Sequence, residues 1–180
     1  HCHPNKTTGL TLLDGKAEVS FLSDVNKLSS LNKIMIRKGL FHSTQAVSDG
    51  GAYVLEIETP VDKHDLVRLE DKYGREGKPY EDSTFETPKQ EDCFWIEDLK
   101  PNTSKEYKFS NCDIIVENIT DINVFNQKND DENIMFLDGG IITDEGYMVA
   151  QAGDVVTSNV VKRLVGLFPN LAPNTTFMTI

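Results

Sequence analysis

Two histidines stand one residue apart in the opening stretch HCHPNKTTG, at His1 and His3. Side chains of an extended strand alternate with a period of two, so both imidazoles point to one face, the way a β-scaffold offers two nitrogen ligands to one metal ion. An isolated His-x-His is also read as a tag remnant or a solvated chain end. A second stretch, VDKHDLVRLEDKYGREGK, packs His64, Asp65, Arg68, Glu70, Asp71, Lys72, Tyr73 and Arg75 into twelve residues. Such density is ordinary for a solvated surface segment. Its functional reading has Arg68 and Arg75 gripping a phosphate or carboxylate, while Tyr73, Glu70 or His64 moves a proton. Just upstream, Glu56 and Glu58 alternate with Leu55 and Ile57. Two carboxylates on the apolar side of a sheet repel each other and lose hydration unless they are used. The apolar count makes Tyr53, Leu55 and Ile57 the inward set and places both glutamates outside.

The elements that must position these groups read as strands. AEVSFL, KIMIRKG, AYVLEIETP, CDIIVENI, NIMFLDGGIIT, YMVAQAGDVV and TTFMTI are short apolar runs bounded by Gly, Asn, Asp and Pro. Only VTSNVVKRLVGLF carries spacing a helix would use, and its β-branched content leaves helix and strand both open. Many short strands at even spacing imply an all-β sandwich or barrel. The Pro-, Glu- and Lys-rich stretch over 76–108 reads as an acidic connector between two β-rich parts, 1–75 and 109–180.

Composition narrows the partners. Eighteen basic against twenty-nine acidic residues give a net charge of −11, which repels phosphate backbones and anionic lipid surfaces. Neither nucleic acid nor membrane is expected as a partner. With 38% hydrophobic residues in 180, the chain can bury a real core. The three cysteines, Cys2, Cys93 and Cys112, are odd in number and unpatterned, which reads as reduced thiols and a cytoplasmic protein. The Asn-x-Ser/Thr triplets at Asn5, Asn102, Asn118 and Asn174 do not change that reading in an Asn-rich chain.

Continued past His3, the sequence HCHPNKTTGLTLLDGKAEV places Gly15 at the turn before the next strand, and RKGLF leads into His42. This pattern resembles the cupin family over about residues 1–70. His1, His3 and Gly15 match its first motif, and His42 matches the single histidine of its second. The resemblance implies a double-stranded β-helix, the cupin jelly roll, as one barrel or two in tandem, with a degenerate second barrel over 109–180. It implies a divalent transition metal, Zn, Fe, Mn or Ni, on His1, His3 and His42. It also implies further strands ahead of His1 in a longer protein. The family's glutamate ligand falls at Thr8 in this chain, a departure that reduces the set to three imidazoles.

Similarity to small cupins of sugar-nucleotide and surface-polysaccharide synthesis implies a sugar or sugar-phosphate isomerase or epimerase, a homodimer acting on a small-molecule sugar derivative. Arg68, Arg75 and Gln45 would hold that substrate, with Tyr73, Glu70 and His64 as acid or base. The other reading is a cupin that binds a sugar or small acid without turning it over, which Thr8 favours as the retained histidines favour the enzyme, since fold does not settle chemistry.

Overall fold

The computed structural model describes residues 1–71, 74, 98–108 and 112–180. Runs rich in Thr, Val and Ile pack well on a pleated surface, and the Gly, Asn and Asp between them supply the turns. The chain forms β1 (Thr7–Phe21), β2 (Val25–Ser29), β3 (Lys33–Ile36), β4 (His42–Ala46) and β5 (Ala52–Thr59). Further along come β6 (Thr103–Lys108), β7 (Asp113–Asn118), a 3-10 helix over Ile122–Gln127, β8 (Asn133–Asp138), β9 (Gly140–Ile142) and β10 (Met148–Gln151). The chain closes with β11 (Val155–Thr157), α1 (Ser158–Leu167), β12 (Asn170–Leu171) and β13 (Thr176–Thr179). The protein is predominantly β, and the strand pairs among the described residues are antiparallel.

The long strand β1 is the spine of the first sheet system. Its first half runs between β3 and β5, and its second half between β2 and β4. Leu13 is an extra residue between the pairs Leu12–Val54 and Asp14–Tyr53. One inserted residue reverses the face to which alternate side chains point. Leu10 and Leu12 before it and Ala17 and Val19 after it therefore share one core with Leu28 and Ile36. Gly15 follows at φ +85°, where a Cβ would lie 2.8 Å from Ser48 Oγ, so the bend accepts only glycine without strain.

This sheet is covered on its other face as well. Met35, Leu55 and Ile57 pack against Met135, Val155 and Met178 of the later strands. Gly9 lies at the closest approach, with Val155 where its side chain would be. Lys33 Nζ donates to Asn133 Oδ1, and Asn133 Nδ2 donates to the Leu31 carbonyl at 3.0 Å.

The later strands form a five-stranded sheet in the order β11-β8-β13-β7-β6 and a three-stranded one in the order β10-β9-β12. The stretch that left helix and strand open is both, β11 followed by α1. Ser158, Val161 and Val165 fall three and four residues apart, so they share one helix face and bury against the core of Phe125, Phe136 and Phe177. Part of the segment expected as a connector lies outside the described residues. Its end carries β6, which pairs with β7. Among the described residues no helix is long and apolar enough to cross a membrane.

Candidate metal centre

Residues 1–3 are clamped between two backbones. His1 and His42 exchange both backbone hydrogen bonds, at 3.1 and 2.8 Å, and Gly39 donates to the His3 carbonyl at 2.8 Å. On the other side Cys2 and Val67 exchange theirs at 2.8 and 2.9 Å. Directly paired antiparallel residues share a face, and so do residues two apart. His1, His3 and His42 therefore point the same way, while Cys2 turns the opposite way into the interior.

The rings converge. Centroids are 4.4 Å apart for His1 and His42, 5.1 Å for His1 and His3, and 5.7 Å for His3 and His42. One ring nitrogen from each lies within 4.8 Å of the other two, so a common centre exists no farther than about 2.8 Å from each, against metal–nitrogen bonds of roughly 2.0–2.1 Å. A closure of under about 1 Å would seat an ion.

Two of the rings are oriented for that task. His3 Nδ1 donates to the Asp65 carbonyl at 2.7 Å and His42 Nδ1 to the Leu40 carbonyl at 2.9 Å. A carbonyl only accepts, so each ring carries a proton on Nδ1, which leaves Nε2 as the nitrogen able to ligate a metal, the tautomer that ligating imidazoles need. Burial, reinforced by the neighbouring His3, holds the His42 imidazole below its ordinary value and favours the neutral ring.

A carboxylate stands beside the histidines. Glu58 Oε1 lies 3.0 Å from His3 Nε2, and Glu58 Oε2 accepts from the buried Lys6 Nζ at 2.8 Å. Glu58 pairs with Thr8 and Glu56 with Leu10, so both glutamates occupy the face of β5 that carries Leu10 on β1. The expectation of Leu55 and Ile57 inside and of the glutamates on the more open face holds for Glu56, which is exposed, while Glu58 is half-buried beside His3 and Tyr53 departs from it. Leu55 and Ile57 point to the later strands, and Tyr53, on the same face at the far end of β5, is 71% exposed. Burial, then the charge of Glu58, pushes the Glu56 carboxyl above its ordinary value.

Asp65 ties the floor of the site together. Its carboxylate accepts from the backbone N–H of Asn5 at 2.8 Å, the Asn5 side chain at 2.8 Å and the Lys6 N–H at 2.9 Å. Burial alone would raise this carboxyl, but those donors outweigh it and hold Asp65 below the ordinary range.

His1, His3, Lys6, Glu56 and Glu58 open onto a cleft of about 590 Å3, whose far wall includes Lys63, Arg68 and Glu70. Arg68 and Glu70 thus share the cleft with the histidines. His64 is exposed, with its backbone N–H held by Asp62, and does not line the cleft. Gln45 is an exposed residue of β4 opposite Glu18 and does not line it either. Tyr73 and Arg75 lie outside the described residues. Lys6, Glu58 and Asp65 are the site's members that spacing did not single out for a role in it. Their signal was weak, since Asp65 sat in a charge-dense stretch and Glu58 on the face judged outer.

No protein-family model, curated protein or solved structure matches this chain.

Proposed function

We propose that this chain is a metal-binding protein of the cupin jelly-roll type, with His1, His3 and His42 holding a divalent transition ion, and that it isomerises or epimerises a small sugar or sugar phosphate. The observation that carries this reading is the convergence of three imidazoles, two with Nδ1 tied to carbonyls, of which His1 and His3 line a cleft large enough for a small ligand. The donor set fits, because imidazoles with carboxylate neighbours suit Zn, Fe, Mn or Ni. When bound, such an ion supplies a Lewis acid for a carbonyl or hydroxyl oxygen.

The chain's own residues do the rest. Glu56, whose carboxyl holds its proton more tightly than usual, faces the cleft from β5 and suits general acid and base work on neighbouring carbons. Arg68 lies across the cleft, where its guanidinium suits an anionic or hydroxyl group of the substrate. Binding without turnover is the second reading, favoured by the hydroxyl of Thr8 where the cupin resemblance expects a carboxylate.

Incubating the metal-loaded protein with aldoses, ketoses and their phosphates in D2O tests the two. Isomerisation predicts solvent deuterium on a carbon next to the carbonyl, lost in the double variant His1→Ala, His3→Ala. Ligand binding in the absence of any exchange would leave the binding reading and sink the enzyme.

A further inference from the structure

We infer that the sugar this cleft takes carries neither phosphate nor carboxylate, and that the cleft's own acidic residues reject the anionic forms. The inference rests on the sugar reading above, which leaves free sugars and sugar phosphates both open, and narrows it to the uncharged class.

Charge decides between them. Glu56, Glu58, Asp62, Glu70 and Asp71 bring five carboxylates to the lining, and Lys6, Lys63 and Arg68 bring three cations, a net charge of −2 before any ion is counted. Phosphate sites do the reverse and surround the anion with Arg, Lys or backbone N–H groups that can turn toward it. The cations here are already committed. Lys6 is 3% exposed, with its Nζ 2.8 Å from Glu58 Oε2, and Lys63 and Arg68 are each engaged within the chain. Ion pairs inside the wall leave its net charge unchanged.

The excess persists where a phosphate would have to lie. With the reacting carbons at the histidines, the rest of the sugar extends along 61–71, which supplies Asp62, Glu70 and Asp71 against Lys63 and Arg68. An ion on the histidines adds positive charge at the other end and leaves this local balance as it is. The chain's net charge of −11 adds a long-range field of the same sign.

An uncharged sugar suits the same lining. Its hydroxyls donate, and an ionised carboxylate is a pure acceptor. Its C–H faces take apolar contact, which Val61 and Leu66 offer in the segment that carries the acidic residues.

Saturation-transfer NMR on the metal-loaded full chain tests the inference, with five- and six-carbon aldoses and ketoses each measured beside its own phosphate ester. The parent sugar should bind at least about tenfold more tightly than the ester at low ionic strength, and about 0.5 M NaCl should narrow that ratio. The double variant Asp62→Asn, Glu70→Gln should narrow it too, and Asp62→Asn keeps an oxygen for the His64 N–H. Should that variant not fold, the salt dependence of the wild type reads the same charge effect. An ester that binds as tightly as its parent, a preference that neither salt nor the variant reduces, or a wild type that binds no free sugar of the panel would overturn the inference. The isomerase reading fails separately. Free sugars that bind without taking up solvent deuterium sink the isomerase alone, whereas exchange confined to the esters sinks this inference and leaves the isomerase standing.

Discussion

Asp65 and His3 are joined twice over. The Asp65 carbonyl accepts from His3 Nδ1 at 2.7 Å, while its carboxylate holds the backbone N–H groups of Asn5 and Lys6, the residues that lead from His3 into β1. The side chain thus fixes the backbone on which the histidine sits, and its own backbone fixes the ring. Asp65→Ala removes the side-chain half and leaves the buried Lys6 N–H and the part-buried Asn5 N–H without this acceptor. We expect metal affinity to fall by about 10- to 100-fold, as when the support of a ligating histidine is removed. Isothermal titration with Zn2+ measures this, and unchanged affinity would show that the clamp does not act on the site.

Gly9 governs how closely the two β-systems approach. A Cβ there would overlap Val155 Cγ2 and lie 3.0 Å from Met35 Sδ. Gly9→Ala should destabilise the protein by about 1–3 kcal/mol through overpacking. Val155→Ala alone should destabilise it as well, and the double variant should be more stable than the sum of the two losses predicts, since the second change makes room for the first. Additive losses in urea unfolding would mean that the two positions are not in contact.

Asp154 gives a pH dependence of known sign. Burial pushes its carboxyl above the ordinary 3.8, opposed by the hydrogen bond from the Gln151 N–H at 2.9 Å. The folded state therefore binds this proton more tightly than the unfolded chain does. The stabilisation from that proton is fully present below pH 3.8 and is lost as pH rises through the raised folded value. Asp154→Asn keeps an oxygen to accept from Gln151 and removes the ionisation. Its melting temperature should exceed that of wild type at pH 7, with the gap closing at pH 3.5. A gap that widens on acidification would contradict this assignment.

The β-character of the chain was legible because its apolar runs are short, β-branched and separated by turn residues. The common face of His1 and His3 was legible for a similar reason, since a period of two needs no knowledge of neighbours. That the face of Glu56 and Glu58 carries the site was not. Alternation shows which residues share a face, but not which of two covered faces looks into the site. Here Leu55 and Ile57 meet Met135, Val155 and Met178, more than seventy positions later in sequence, and that layer takes the apolar set. Leu13 compounds the difficulty, because one extra residue between two register pairs reverses the parity of β1. The placement of Asp65 was hidden as well, because its partners Asn5 and Lys6 are about sixty residues away and nothing local marks them.

If His1, His3 and His42 form one metal site, the metal content of the purified protein reveals it. The purified wild-type chain, loaded separately with Zn2+, Fe2+, Mn2+ and Ni2+ and freed of excess ion, is analysed by inductively coupled plasma mass spectrometry beside His42→Ala. The account predicts one ion per wild-type chain for at least one of these metals, and loss of that ion in the variant while its far-ultraviolet circular dichroism stays that of a β-protein. Wild-type chains that retain none of the four metals, or a variant that retains its ion as well as wild type does, would contradict it.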